Sequence, residues 1–194
     1  SKQFKVDGEV LKRISDLYGR LRVVLFVPED LEIVSGSPSE RRRFVDLTAA
    51  QVGPRHIGHL QKYQQCLKSR NQPLKRAQVK RPDPVEMEIW DTQLAEAAIP
   101  VIETRRETVR EISHALERFY GRLTEGREKL HLRYLCSTPE EEGLPLRESI
   151  LTRLAASTER DIQNGATSPG PHRDDLDFIL DGKDLRTFGS QGQR

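Results

Sequence analysis

The residues at the end of the chain are those whose types most directly suggest chemistry. A glycine flanked by serine and glutamine offers backbone N–H groups, side-chain amides and a hydroxyl, which can together contact a phosphate at a helix start. This run is Ser190, Gln191, Gly192, Gln193 and Arg194. The tetrapeptide alone is a weak signal. It gains weight because the sequence Gly-Pro-His-Arg-Asp-Asp at 170–175 precedes it across a hairpin.

His172, Arg173 and Asp174 form a second candidate site. A histidine beside acidic residues can transfer protons, but no serine or cysteine nucleophile is placed near it by the sequence. A loop that positions a phosphate or docks a partner is therefore the more natural functional interpretation. A purely structural turn, fixed by Pro169 and Pro171, fits the sequence equally well.

Positive charge gathers between residues 37 and 82, where eleven Lys and Arg stand against two acids; residues 83–128 hold eleven acids and six Arg. A basic helix beside an acidic one would be partly neutralised, yet the cations outnumber the carboxylates within reach. We therefore expect contact with the phosphate backbone of DNA, without base stacking because no aromatic residue interleaves these cations. The candidates are Arg41, Arg42, Arg43, Lys68, Arg70, Lys75, Arg76, Lys80 and Arg81.

The machinery of a nucleotide hydrolase is missing from the sequence. There is no G-x-x-x-x-G-K-[ST] phosphate loop, and no apolar strand ends directly in an acidic pair. Glu29 and Asp30 follow the β-rich run 21–27 and could approach a nucleotide, although the first turn of a short helix over 28–34 explains them as well. Cys66 and Cys136 fit no metal or redox spacing and are expected to be free thiols. We expect no catalytic residue, no metal and no resident cofactor.

The elements that position these residues predict an α+β fold. The base consists of a hairpin at Asp7-Gly8, a short helix from Leu11, the strand 21–27, a strand from Leu130 and a hairpin at Asp181-Gly182 whose return strand covers 183–188. The two hairpins are similar, and whether they share one sheet stays open. A helical hairpin is inserted between the two ends, so the predicted division is 1–36 (base), 37–128 (arm) and 129–194 (return).

The arm is predicted from caps and periodicity. Ser37 and Glu40 form a capping box, Gly53-Pro54 begins a second helix, and the Arg-Pro-Asp-Pro run at 81–84 makes the turn. Phe44 and Leu47 mark the first inner face, and the second helix presents a seam of Ile57, Leu60, Gln64, Leu67, Asn71 and Leu74. The third keeps a coiled-coil-like pattern through Pro100, from Leu94 through Ala98, Val101, Arg105, Val109, Ile112, Leu116 and Phe119 to Leu123. A helix from Leu146 to Asn164-Gly165 follows the return strand.

Residues 23–47 and 170–194 resemble the RecF family of bacterial recombination-repair proteins, and the resemblance extends more loosely through the arm. It implies part of an ABC/SMC-type ATPase whose segment 190–194 contacts, in trans, the ATP held with Mg²⁺ by a second subunit. It further implies DNA at single-strand/double-strand junctions, a RecF homodimer formed on ATP, RecR and RecO as partners, no membrane, and a cytoplasmic, nucleoid-associated protein of DNA replication, repair and the SOS response. The start at Ser1 suggests an excised fragment.

Three hypotheses follow. The chain is a DNA- and partner-engaging arm of a RecF-like repair ATPase, and by itself no enzyme. Alternatively, it is a helical protein-docking module that makes no DNA contact. An independent hydrolase built on His172 and Asp174 ranks last.

Overall fold

The structure, a computed structural model, describes residues 5–6, 8–11, 33–77, 81–141 and 143–188. Its helices are α1 (Pro38–Val52), α2 (Arg55–Arg76), α3 (Pro84–Leu123), α4 (Leu146–Asn164) and the short α5 (Leu185–Phe188). Its strands are β1 (Lys5–Val6), β2 (Glu9–Val10), β3 (Leu130–Leu135), β4 (Asp175–Leu180) and β5 (Lys183–Asp184). β1 and β2 form a hairpin, and β3-β4-β5 form an antiparallel sheet. The predicted α+β class is confirmed.

Local signals determine where the helices begin and end. At α1 the Ser37 hydroxyl accepts from the Glu40 N–H, and the Glu40 carboxylate accepts from the Ser37 N–H at 2.6 Å, so the predicted capping box is present. Helix α3 continues through Pro100 without interruption. Helix α4 ends at Gly165, whose φ of +64° is the left-handed conformation that glycine adopts at little cost.

The first hydrophobic core lies between α2, α3 and α4. Tyr63 of α2, Leu94 and Val101 of α3, and Ile150 and Leu154 of α4 are buried together. The predicted antiparallel pair α2–α3 is therefore completed by α4, a helix that the sequence analysis placed with the return segment. Within the described ranges, no helix is both long and apolar enough to span a membrane.

The second core covers one face of the sheet. Val109 from the C-terminal half of α3 and Val45 from α1 pack on Leu132, Leu176 and Phe178. Since α3 has 40 residues and a helix rises about 1.5 Å per residue, this one element reaches from the three-helix bundle to the sheet. It ties the two parts of the molecule together.

The inner faces of α1 and α2 differ from the prediction. On α1, Phe44 is exposed, and Val45, Ala49 and Ala50 are buried instead. On α2, the buried residues are His56, Tyr63, Cys66, Arg70, Pro73 and Leu74. Of the predicted seam only Leu74 is among them, while Leu60 and Leu67 are half-buried and pack against the edge of the core. The predicted stripe was displaced because two of the buried positions are His and Arg, which an apolar pattern does not select.

The hairpins and the end of α3 bring further corrections. The return strand is only β5, and residues 185–188 turn into α5, because the Asp184 carboxylate accepts from the Arg186 N–H at 2.8 Å. The two hairpins lie in separate sheets among the described residues. Phe119 and Leu123 are 57% and 79% exposed, so the apolar face of α3 stops before its last turns.

Candidate nucleic-acid interface and its buried polar support

The bundle and the sheet meet at a group of buried and half-buried polar side chains, which we call the polar joint: Asp46, His56, Tyr63, Arg105, Tyr134, His172 and Asp174. At its centre Arg105, 4% exposed, donates to both carboxylate oxygens of Asp46 at 2.8 Å and to the carbonyl of Pro171 at 2.6 Å. Burial would raise the pKa of Asp46, but hydrogen bonds from Arg105 and His56 outweigh it and lower that pKa. The pair joins α1 to α3.

The loop 170–174 completes the joint. The Nε2–H of His172 donates to the carbonyl of Thr167 at 3.0 Å, which leaves Nδ1 to accept from the Tyr63 hydroxyl at 2.6 Å. Asp174 is fully buried and accepts from the Tyr134 hydroxyl and the Ser137 N–H. Burial lowers the pKa of His172. Because both of its ring nitrogens are engaged, the geometry favours the structural interpretation of this loop over proton transfer.

Two of the arginines predicted to contact DNA form buried ion pairs instead. Arg70, fully buried, donates to Asp91 at 2.5 Å and to Asp161 at 2.7 Å. Arg41, 2% exposed, forms a two-pronged pair with Asp175 at 2.7 and 3.0 Å. Neither guanidinium reaches the surface, so Arg41 and Arg70 are removed from the predicted DNA-binding set. Each is buried because carboxylates distant in sequence neutralise it.

The same carboxylates continue into a charged ladder on the sheet. Arg186 donates to Asp175, Asp177 and Asp184, and Asp177 also accepts from Arg133 at 2.7 Å. Burial opposes ionisation of Asp175, but hydrogen bonds from Arg41 and Leu176 lower its pKa below the ordinary value. The ladder fixes α1 and α5 to β4.

The remaining described candidates are accessible. Lys68, Lys75, Arg76 and Arg81 are exposed; Arg76 pairs with Glu86 at 3.1 Å, and Arg81 pairs with Glu159. Arg43 is exposed, while Arg42 is half-buried and donates to the Asp174 carbonyl at 2.7 Å. These two arginines border a groove between α1 and α2.

The outer face of α2 extends this cationic surface. The helix has 22 residues, none of them Asp or Glu. Its exposed cations without an ion-pair partner in the described part of the chain define the α2 cationic face: Arg55, Lys62, Lys68 and Lys75. The exposed amides of Gln61, Gln65 and Gln72 lie between them. Arg55 and Lys62 are not among the predicted DNA contacts, although the absence of acids along the whole helix indicates them.

Several of the predicted site residues and elements fall outside the ranges that the structure describes. Ser190, Gln191, Gly192, Gln193 and Arg194, together with Glu29, Asp30 and Lys80, lie outside the described residues, as do the strand 21–27 and most of the short helix after Leu11. Across the ranges that are described, no three His, Cys, Asp or Glu side chains are grouped to hold a metal ion. Cys66 and Cys136 are free thiols, as predicted.

The fold and the surface define a class of protein. A three-helix bundle is joined to a small antiparallel sheet by ion pairs, and one of its helices, α2, has no acidic residue and presents cations to solvent. Comparison with known proteins specifies the family, although no family model matches the chain. The DNA replication and repair protein RecF of Ligilactobacillus salivarius is 36% identical over 197 residues, covering 100% of this chain and 52% of that protein. That of Geobacillus thermodenitrificans is 40% identical over 187 residues, covering 94% and 50%.

A solved structure agrees with these relatives. A chain described as the recombination mediator protein RecF with ATP in the RecFOR pathway superposes with a TM-score of 0.89 at 32% identity, and the match covers 100% of this chain and 52% of that one. The chain belongs to the RecF family and spans about half the length of the curated relatives it matches.

Proposed function

We propose that this chain is the DNA-contacting helical part of a RecF-type repair ATPase, and that the α2 cationic face contacts the sugar-phosphate backbone. The observation that carries the proposal is the accumulation of exposed, unpaired cations on a 22-residue helix without a single acid. The relatives are named DNA replication and repair proteins, which supports DNA as the polyanion.

The composition of this face favours backbone contact over base recognition. Lysine and arginine neutralise phosphates, and glutamine amides donate hydrogen bonds to phosphate and sugar oxygens. The one aromatic residue of α2, Tyr63, is 3% exposed and faces the core. A base therefore has no ring on this helix on which to stack.

The acids of α3 do not neutralise the α2 cationic face. Asp91 pairs with the buried Arg70, and Glu86 pairs with Arg76. Others bind cations outside α2: Glu96 pairs with Arg147 of α4, and Glu107 pairs with Arg110 on α3 itself. Of the ion pairs that the described residues form, none involves Arg55, Lys62, Lys68 or Lys75, so their charge is available to a ligand.

The nucleotide role is a further part of this proposal. Ser190 to Arg194 would contact ATP and Mg²⁺ held by a second RecF subunit, and the chain by itself would not hydrolyse ATP because its sequence has no phosphate loop. The solved relative described with ATP and assigned to the RecFOR pathway supports this role, and with it RecR and RecO as partners. DNA at single-strand/double-strand junctions is the proposed substrate.

The test is duplex-DNA binding by the 194-residue chain, measured by fluorescence anisotropy across a salt series. Each phosphate contact contributes about −0.9 to the slope of log affinity against log salt, so replacing Lys62, Lys68 and Lys75 with alanine should make the slope shallower by about 2.7. The matched control removes three cations that pair with acids elsewhere on the surface: Arg110, Arg147 and Arg153.

The proposal predicts that the control retains the wild-type slope. Equal losses in both triple variants would show that net charge alone attracts DNA. Absence of binding even at low salt would remove DNA contact from this chain.

A further inference from the structure

A second surface of α2 lies beside the α2 cationic face and has a different chemistry. After the break at Gly53-Pro54, α1 and α2 leave a groove of about 470 Å³ between them. Half-buried apolar side chains form its walls, and Tyr63 and Arg105 lie at its floor. The wall residues are Leu47, Ile57, Leu60 and Leu67.

On its α2 side, the wall consists of three of the four apolar residues in the seam that the sequence predicts for this helix. Ile57, Leu60 and Leu67 recur at helical spacing, yet the core-facing stripe of the helix runs through Tyr63 and Arg70 instead. Leu60 and Leu67 touch the core only along one side, and Ile57 is no part of it. The seam is thus an apolar stripe that is left partly open to solvent at the groove.

One end of the groove is lined by two arginines of α1. Arg42 and Arg43 line it, and neither forms an ion pair with a carboxylate in the described residues. Asp46 also lines the groove, but its oxygens already accept from Arg105 and His56. Burial and the nearby charge of Arg105 lower the pKa of Arg42, although the charges of Asp175, Asp174 and Asp46 act in the opposite direction.

We propose that this groove binds a short segment of a partner protein in which apolar side chains are followed by carboxylates. The apolar side chains would cover the wall of Leu47, Ile57, Leu60 and Leu67, and the carboxylates would pair with Arg42 and Arg43, a geometry in which guanidinium binds two oxygens at once. Nucleic acid matches only the cationic end, because a phosphate at every nucleotide would leave the apolar wall uncovered.

This inference is independent of the proposed DNA contact. Arg42 and Arg43 lie on α1, and none of the four residues of the α2 cationic face lines the groove. Either surface can therefore be changed while the other is kept.

The experiment selects displayed, randomised short peptides for binding to the 194-residue chain and then measures the enriched peptides by fluorescence anisotropy. Enriched sequences are expected to combine apolar residues with at least one Asp or Glu. Their affinity should fall about tenfold or more in Arg42→Gln/Arg43→Gln and in Leu47→Ser/Ile57→Ser, and should stay unchanged in Lys62→Gln and in Val52→Ser. Val52 is an exposed apolar residue of α1 that does not line the groove.

Thermal unfolding of each variant separates loss of the surface from loss of the fold. The single change Arg43→Gln, at an exposed position, keeps the test valid if a double variant unfolds. The proposal is wrong if no peptide is enriched over the Leu47→Ser/Ile57→Ser chain, or if enriched peptides lack acids. It is equally wrong if a duplex oligonucleotide displaces the peptide and itself depends on Arg42 and Arg43, which would make the groove part of a nucleic-acid site.

Discussion

Arg70 and Lys68 lie two residues apart on α2, yet their surroundings are opposite. Arg70 is fully buried and bound by Asp91 and Asp161, while Lys68 is exposed and has no carboxylate partner in the described structure. The difference comes from α3 and α4, which bring acids to one side of α2 and leave the other side without them. A cation is therefore structural or available to a ligand according to what faces it across the fold.

Removing the buried charge of Arg70 is expected to have the largest effect on stability. Arg70→Met would leave Asp161, itself fully buried, with hydrogen bonds from Ser157 and Ser168 but without a cation. Removing one partner of a buried pair costs about 3–5 kcal/mol, since the other charge stays buried and uncompensated. Urea unfolding measures the loss.

The control for this change is Lys68→Met on the same helix, for which we expect a change within about 0.5 kcal/mol. Adding Asp161→Asn to the Arg70→Met chain should recover part of the lost stability, because it removes the unpaired charge. A small effect of Arg70→Met would mean that water or a rearranged side chain compensates Asp161, and the contrast between the two sides of α2 would be lost.

Gly170 and Gly182 extend the comparison to the backbone. Both have positive φ, +127° and +81°, but a Cβ on Gly170 would lie 2.5 Å from the Tyr63 hydroxyl, whereas a Cβ on Gly182 would meet open space. Gly170→Ala combines backbone strain with loss of the hydrogen bond from the Tyr63 hydroxyl to His172, and the total cost should be about 2–4 kcal/mol. Gly182→Ala carries the strain alone, about 1–2 kcal/mol.

Thermal or urea unfolding of both variants checks the order. The mechanism is isolated by repeating Gly170→Ala in a Tyr63→Phe chain, where no hydroxyl meets the new methyl group and the cost should shrink. If the cost is the same in both backgrounds, the loop is held by something other than the Tyr63–His172 contact.

The sequence predicted what depends on local signals. The caps at Ser37 and Gly165 and the heptad-like spacing of α3 each involve residues a few positions apart, and the structure places these elements as expected. The inner face of α2 was not predictable in this way. Arg70 is buried through Asp161, ninety-one positions away in sequence, and an apolar periodicity cannot detect such a partner. The prediction of DNA contacts failed at Arg41 for the same reason. The sequence indicates a surface cation there, because its partner Asp175 is distant in sequence.

His172 allows the polar joint to be tested through pH. Burial depresses its pKa in the folded state below the unfolded value of about 6.5. The unfolded chain therefore binds the proton more readily, so stability is fully present above about pH 6.5 and declines as pH falls below it. In His172→Gln, unfolding free energy should be lower at neutral pH but should change less between pH 7 and pH 5.

The other titrating histidines are common to both chains, so the difference between the two pH profiles isolates His172. Asp46 and Asp175 act in another window, because their lowered pKa values place their loss of stabilisation below the unfolded value of about 3.9. Parallel profiles between pH 7 and pH 5 would show that His172 is protonated equally in both states, and the half-buried histidine would then contribute nothing specific to the joint.

The smallest expected effect belongs to Arg76, six residues after Arg70 on the same helix. Its pair with Glu86 measures 3.1 Å, but the two side chains are 67% and 39% exposed. Solvent screens such a pair and ordering two long side chains costs entropy, so a double-mutant cycle of Arg76→Ala and Glu86→Ala should give a coupling below about 0.5 kcal/mol. A coupling above about 1 kcal/mol would place Arg76 with the structural arginines. The expected small value instead means that Arg76 can exchange Glu86 for a phosphate at little cost, which would extend the α2 cationic face by one cation.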